Sequence, residues 1–156
     1  MISFLCLQPD PAGGGRTLLV HIPNVLLALD SDDRRILETT EITEGDFYNL
    51  EGVGESLPTF PILSPGGWPE LRFTAKWRSE VDCLTQSQRA AYDRLSSTVE
   101  SLTQSVPLAT GDLLVFGNRS YLHGRQALGS EQELLSTDRR RKVLQLYCIE
   151  CYECST

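Results

Sequence analysis

The sequence predicts a mainly β protein with helices packed on the outside of its sheets. Short apolar runs bounded by glycine, proline and asparagine occur near both ends of the chain, which is the pattern of buried strands joined by turns. These runs lie at residues 2–7, 17–22, 113–116, 121–122 and 143–149. One amphipathic segment, residues 86–103, has the helical period instead. Because no internal repeat or domain boundary is evident, we expect residues 1–156 to form a single domain.

The composition and net charge indicate a soluble globular protein and argue against some classes of partner. The chain has 156 residues, of which 40% are hydrophobic and 22% are charged, as in ordinary soluble globular proteins. A net charge of −7 argues against nucleic acid and anionic membranes as partners, because phosphate groups are bound by basic surfaces. No apolar run reaches the roughly 20 residues of a membrane-spanning helix. We therefore expect a soluble, cytoplasmic protein.

The five cysteines are an odd number without a secretory signal, so we expect reduced thiols. The tail CIECYECST contains C-x-x-C-x-x-C. Three thiolates lack the fourth ligand that a structural zinc site usually has, so we interpret the tail as a frayed terminus rather than a metal site.

The first half of the chain alternates predicted strands and helices. A loop with three glycines, residues 13–15, joins the strands at 2–7 and 17–22. Pro23 opens a helix whose apolar residues share one face, and a second helical turn follows at 33–37. The glycines and acidic residues of 39–57 indicate a surface segment with one short strand. The runs at 59–63 and 70–73 then predict a β-hairpin.

The clearest helix covers residues 86–103. Thr85 and Gln88 have the spacing of a capping box, and Tyr92, Leu95 and Val99 recur at helical intervals. We expect this apolar stripe to pack against a sheet.

The last third of the chain holds the strongest candidate site. Gly117 and Asn118 join two apolar runs into a predicted hairpin that has His123 at its end, and a cluster of three arginines, residues 139–141, leads into the last strand. A histidine at one strand end and an arginine opening the next can face one cavity. Strand alternation places Arg141 and Gln145 on one face. This arrangement suits a metal ligand beside an anion anchor.

The segments GDLLVFGNRSYLHGR and RKVLQLYC, at residues 111–125 and 141–148, resemble the C-terminal signature of the Fe(II)/2-oxoglutarate-dependent oxygenases of the taurine dioxygenase and clavaminate synthase-like group. MISFLCLQPDPAGGGRTLLV, at residues 1–20, resembles an earlier segment of the same family. The resemblance implies a double-stranded β-helix, a cupin-like jelly roll, of which this chain corresponds to the C-terminal half. In that family iron and 2-oxoglutarate activate oxygen to oxidise a small, often amino-acid-like substrate.

The resemblance also implies site residues. His123 matches the last iron-binding histidine, while Arg141 and Thr17 match the residues that hold 2-oxoglutarate. Gln145 stands where the family often has a second, substrate-binding arginine, and Arg125 could also face the substrate pocket.

The spacing of eighteen residues from His123 to Arg141 is longer than the family pattern. Arg139 or Arg140 therefore remain alternatives to Arg141 as the anion anchor.

The family's iron site needs a His-x-Asp or His-x-Glu pair in addition to the last histidine. Only His21 and His123 are present, and neither lies in such a pair, although His21 could replace a lost ligand. We expect the missing ligands to come from upstream sequence or from a second polypeptide. The alternative is a non-catalytic or metal-independent relative that binds a small anion or a partner subunit. A sheet edge exposed by missing strands predicts self-association or a partner chain.

Overall fold

The computed structural model describes residues 1–43, 59–65, 70–74, 81–130 and 134–147. The chain divides into two compact units, one made of Met1–His21 with Thr103–Thr156 and the other of Ile22–Leu102. The predicted mainly β class is confirmed within the described ranges. The expectation of one domain stays a prediction.

The described elements, in chain order, are β1 (Ile2–Gln8), β2 (Thr17–His21), α1 (Ile22–Ala28), α2 (Ser31–Thr39), β3 (Glu41–Thr43), β4 (Thr59–Pro61), β5 (Leu63–Ser64), β6 (Glu70–Leu71), α3 (Gln86–Leu102), β7 (Gln104–Val106), β8 (Leu113–Phe116), β9 (Tyr121–Arg125), a 3₁₀ turn (Thr137–Arg139) and β10 (Lys142–Tyr147).

Two three-stranded antiparallel sheets build the first unit. Their strand orders are β10-β1-β8 and β7-β2-β9. Ile2, Phe4 and Phe116 from one sheet and Leu19 from the other are buried in a common core. The sheets therefore face each other, and sequence neighbours alternate between them, as in a jelly roll.

The register of the second sheet decides which side chains point into this core. Thr17 lies opposite Arg125, and Leu19 lies opposite His123. Directly opposed residues share a face of a sheet, and alternate residues along a strand do too. Because Leu19 belongs to the core, Thr17, His123 and Arg125 are on the interior face as well.

The predicted hairpin between residues 113–116 and 121–122 is wrong. β8 pairs with β1 and β9 pairs with β2, so the turn at residue 117 crosses from one sheet to the other. The backbone amides of Ser120 and Tyr121 both donate to the carbonyl of Gly117, at 3.0 and 3.1 Å. Phe116 and Tyr121 both reach the core across this turn, with ring centroids 6.4 Å apart. The second strand also continues to Arg125, so that His123 lies within it.

The outward face of the sheet β10-β1-β8 is also apolar. Leu5 lies opposite both Leu144 and Leu113 in the register, which makes the aliphatic side chains contiguous. The exposed members are 45–60% accessible: Leu113, Val115, Leu144 and Leu146. We refer to these residues with Leu5 as the outer apolar face.

The second unit contains the predicted helices. The capping box is confirmed, because the amide of Thr85 donates to Oε1 of Gln88 (3.1 Å) and the amide of Gln88 donates to Oγ1 of Thr85 (3.4 Å). The apolar stripe of α3 packs mainly on α1 and α2, so the expectation of a sheet beneath it is wrong. None of the described helices is long and apolar enough to cross a membrane.

The hairpin predicted at residues 59–63 and 70–73 is partly confirmed. Leu63 lies opposite Leu71, but Thr59–Pro61 pairs with Glu41–Thr43 instead. The two pairings share Ile62, whose amide donates to the carbonyl of Thr40 and whose carbonyl accepts from Arg72. The segment predicted to be a surface loop after residue 43 and the cysteine-rich tail lie outside the described residues.

A buried carboxylate joins α2 to α3. Asp33 is 2% exposed and accepts hydrogen bonds from Nε and Nη2 of Arg94, which hold the pKa of Asp33 below its ordinary value. Oδ1 of Asp30 caps α2 by accepting from the amide of Asp33 at 2.7 Å. The cap and the ion pair thus meet at the first turn of one helix.

Replacing Asp30 by alanine should lower the free energy of unfolding by about 1 kcal/mol, because the N-cap acceptor is lost. Urea unfolding with an unchanged slope would measure it. Asp32→Ala is the matched control, since it removes an exposed ion pair with Arg35 (3.2 Å) but leaves the N-cap in place, and it should cost less than about 0.5 kcal/mol. Equal losses for the two variants would contradict the capping role.

Candidate functional site

A cavity of about 230 Å³ opens in the first unit where the loop between β1 and β2 approaches the start of β10. Its volume suits a molecule smaller than most drug-sized ligands. Its lining includes Cys6, Asp10, Gly15, Thr17, Leu108 and Arg141. Two of the predicted site residues, Thr17 and Arg141, are therefore brought together in one pocket.

Thr17 presents a buried hydroxyl to this cavity. The residue is 2% exposed, and within the described part of the chain no hydrogen bond reaches its side-chain oxygen. Buried hydroxyls are nearly always hydrogen-bonded, because a buried hydroxyl without a hydrogen bond costs about 1–3 kcal/mol of stability. A ligand atom in the cavity would supply the partner.

Arg141 provides the positive charge. It precedes β10 directly and packs against Gly15 so closely that a Cβ there would lie 2.7 Å from Cδ and 3.0 Å from Nε of the arginine. Burial lowers the pKa of Arg141, and repulsion from Arg125 adds to this effect. An arginine nevertheless keeps its charge at neutral pH. The guanidinium is thus a partly desolvated cation, which strengthens its attraction for an anion.

The structure also separates Arg141 from its two neighbours. Arg139 ends an exposed 3₁₀ turn, and the Arg140 guanidinium donates to the carbonyl of Leu135 at 2.8 Å. Neither of them lines the cavity. The β1–β10 register shifts between Cys6 and Gln8, next to the start of β10. Bulges of this kind re-aim the side chains beside them.

His123 lies further along the same interior face. Its ring centroid is 5.3 Å from that of Phe116 and 5.8 Å from that of Phe4. These aromatic neighbours shield the imidazole on one side although the residue as a whole is exposed, and burial lowers the pKa of His123. The ring is consequently neutral at pH 7, the form that binds metals. It does not line the cavity itself.

The two predicted substrate residues flank this region. Arg125 is exposed, lies opposite Thr17 and is near enough to Arg141 to lower its pKa. Gln145 is exposed, lies opposite Phe4 in the β1–β10 pair, and donates its amide to the hydroxyl of Tyr147. Both residues are on the faces that line the space between the sheets.

The described residues do not complete an iron site. Among them, no three histidine, cysteine or carboxylate side chains come together in a group that could hold a metal ion. His21 packs its ring on Tyr121, with centroids 4.9 Å apart. The hydroxyl of Thr17 and the guanidinium of Arg141 can donate hydrogen bonds to an organic anion. For iron, the described residues offer the His123 imidazole without the further ligands that a metal site needs.

Sequence reasoning missed several residues of the cavity. Cys6 was assigned only to a strand, and no role was predicted for Asp10 or Leu108. The neighbouring prolines and glycines did mark residues 9–15 as a tight turn. No local signal could have shown that residues 107–108, which are distant in sequence, approach this turn.

A family model described as "Taurine catabolism dioxygenase TauD, TfdA family" matches residues 1–147. Among curated proteins no match is found.

Several solved structures have a similar fold. One is an asparagine oxygenase in complex with Fe(II), 3-hydroxyasparagine and succinate, with a TM-score of 0.68 and 24% identity. Another is the non-heme iron oxygenase OrfP in complex with Fe and alpha-ketoglutaric acid, with a TM-score of 0.64 and 20% identity. The matches cover 92% of this chain but 43% and 42% of the two solved chains. The chain therefore spans less than half their length, and within that part the predicted partial jelly roll is confirmed.

The imidazole of His123 should titrate below the value of about 6.5 that is typical of an unperturbed histidine. Its pKa in the folded chain is lowered, so the unfolded chain binds the proton first as the pH falls. The stability that neutral His123 contributes is complete above about 6.5 and is lost as the pH falls through the folded-state pKa. Proton NMR of His123 in the native and the urea-unfolded chain measures both values. Equal midpoints would show that the aromatic contacts do not desolvate the ring.

Proposed function

Since the chain belongs to the TauD/TfdA family of taurine catabolism dioxygenases, we propose that its cavity is the 2-oxoglutarate site of an Fe(II)/2-oxoglutarate-dependent oxygenase. The observation that carries the proposal is the juxtaposition of a buried hydroxyl, Thr17, with a partly buried guanidinium, Arg141, in one small pocket. A carboxylate of the cosubstrate would accept from both groups.

The chemistry of the pocket favours a dicarboxylate over other anions. A guanidinium presents parallel N–H donors that match the two oxygens of a carboxylate. Arg125 lies opposite Thr17 on the same interior face, so a second cation stands next to Arg141. The mutual repulsion of the two guanidinium groups would be relieved by a bound ligand with negative charges.

We assign His123 to the metal side of the site. The imidazole lies two residues along β9 from Arg125 and shares its face, so a ligand held at Thr17 and Arg141 would extend toward it. Its lowered pKa keeps a lone pair available. The further ligands that iron needs are not among the described residues, so they would come from another segment or another chain.

The substrate would be a small molecule with amino-acid character. The asparagine oxygenase was solved with 3-hydroxyasparagine, and a mutant of OrfP was solved with (3S)-hydroxy-L-Arg. Arg125 could hold a substrate carboxylate. Gln145 offers a neutral amide at the interior face and would suit a polar, uncharged substrate group.

A second candidate function is binding of a small anion without iron. It would need only the Thr17 hydroxyl and the Arg141 guanidinium, which line the cavity together. Isothermal titration together with a succinate assay separates the two candidates. Binding of 2-oxoglutarate without metal, with no succinate formed when Fe(II) and L-asparagine are added, supports the second. Succinate formation that requires Fe(II) supports the oxygenase.

Arg141→Gln should weaken 2-oxoglutarate binding by roughly a hundredfold, because two charge-assisted hydrogen bonds are lost. Thr17→Val should weaken it by about tenfold through loss of one hydroxyl. Arg139→Gln is the matched control, since that arginine is exposed outside the cavity and should leave the affinity unchanged. Calorimetry gives each dissociation constant, and equal effects at 139 and 141 would argue against the assignment.

We also propose that the outer apolar face is covered by a second copy of this chain. Contiguous aliphatic side chains of this extent are unusual on the surface of a monomer. Light scattering should give a mass above the 17.4 kDa of one chain, and the double substitution Leu144→Lys with Leu146→Lys should return it to 17.4 kDa. The paired change Leu27→Lys and Leu134→Lys, at exposed leucines elsewhere, is the control. A wild-type monomer would refute this proposal.

A further inference from the structure

Asp10 is a buried carboxylate in the wall of the cavity. It is 7% exposed and lies in the loop between β1 and β2. Its Oδ1 accepts from the amide of Ala12 at 2.9 Å, and its carbonyl accepts from the amide of Gly13 at 3.0 Å. These two bonds close the loop into a compact turn of the kind that aspartate favours.

The other carboxylate oxygen reaches a distant part of the chain. Oδ2 of Asp10 accepts from the amide of Gly129 at 2.7 Å, across 119 positions of sequence. Two backbone bonds run beside it, from the amide of Gly15 to the carbonyl of Ala127 and from the amide of Gln126 to the carbonyl of Arg16, both 2.9 Å long. One aspartate therefore ties the loop to the segment that follows β9. We call this set of contacts the Asp10 clasp.

The clasp brings the two backbones together as closely as glycine allows. A Cβ on Gly14 would lie 2.3 Å from the amide nitrogen of Gly129, and a Cβ on Gly129 would lie 2.3 Å from Cβ of Ala12. Neither position can accept a side chain without moving one of the segments. A loop with so little freedom can hold a neighbouring side chain in one place.

That neighbouring side chain is Arg141. Gly15 has a positive φ of 65°, and the arginine side chain fills the space where a Cβ would stand. The chain of contacts therefore runs from the Asp10 carboxylate through the loop to Gly15 and on to the guanidinium. Asp10 also attracts Arg141 electrostatically and so opposes the repulsion from Arg125.

We infer that Asp10 is a positioning residue for the anion site: by clasping the loop to residues 126–129 it holds the Arg141 guanidinium ready for a carboxylate. The identity of that anion as 2-oxoglutarate rests on the proposed function. The role of the clasp in placing Arg141 does not depend on which anion binds. Preorganisation of this kind raises affinity because less freedom is lost when the ligand arrives.

The test is the Asp10→Asn variant of the whole chain, with Asp112→Asn as its matched control. Asparagine keeps one acceptor oxygen but turns an N–H₂ group toward the amide of either Ala12 or Gly129. Since two N–H groups cannot bond to each other, one of the two hydrogen bonds is lost. Asp112 accepts from the amide of Ala109 at 2.8 Å in another turn of the same unit, and it does not line the cavity. Its substitution disturbs a turn without touching the clasp.

Two readouts are taken for each variant. Calorimetry with 2-oxoglutarate should show a dissociation constant about tenfold higher for Asp10→Asn and unchanged for Asp112→Asn. Without any ligand, ¹⁵N NMR should show the Arg141 Nε–H signal shifted or broadened and the Gly129 amide exchanging about tenfold faster, in the Asp10 variant alone. An unchanged Arg141 signal together with an unchanged affinity in Asp10→Asn would overturn the inference.

The outcomes keep the two proposals apart. If the wild-type chain does not bind 2-oxoglutarate, the proposed function fails, and the NMR readout still decides whether the clasp places Arg141. If Asp10→Asn does not fold, Gly129→Ala keeps the carboxylate but removes the room for the clasp, and it should produce the same change at Arg141. A Gly129 amide that exchanges freely in the wild-type chain would by itself refute the clasp.

Discussion

The antiparallel pairing of β2 with β9 is the constraint on which the candidate site depends. It sets Thr17 opposite Arg125 and Leu19 opposite His123, so the burial of one leucine turns three polar side chains toward the interior. A slip of one residue would point all of them to the other face. The aromatic contacts of His123 with Phe4 and Phe116 lock the same register from the opposing sheet. Core packing and site geometry therefore have one physical origin.

The sheet β10-β1-β8 contributes a charged residue to the pocket, Arg141 directly before β10. β10 pairs with β1, so Val143 packs toward the core and Arg141 is left at the open end beside the glycine loop. The cost of holding a guanidinium partly out of water is visible in its lowered pKa. A bound anion would offset this cost. A partly buried arginine beside a buried hydroxyl that has no hydrogen bond within the described residues is therefore a stronger indicator of function than either group alone.

Much of this fold could be read from local sequence. The capping box at Thr85, the strand at residues 2–8 and the alternation that groups Arg141 with Gln145 all depend on neighbours within a few positions. The contacts that failed or were missed involve distant segments. The turn at Gly117 predicted a hairpin, yet it crosses between sheets, because each flanking strand finds its partner far away in the sequence.

The candidate site divides in the same way. The resemblance to a known family pointed to Thr17, His123 and Arg141, and the register brings Thr17 and Arg141 into one cavity. It gave no indication of Asp10, whose bond to Gly129 joins residues 119 positions apart. Glycines 14 and 129 have no sequence pattern in common, and their close approach is a property of the folded backbone alone. Long-range steric fit of this kind is what local patterns cannot encode.

The most direct measurement is a crystal structure of the chain soaked with 2-oxoglutarate. A carboxylate of the ligand is expected between the Thr17 hydroxyl and the Arg141 guanidinium, with the remainder of the molecule directed along β9 toward His123. Ligand density at another place, or a pocket in which Thr17 and Arg141 contact different molecules, would contradict the assignment of this cavity as the cosubstrate site.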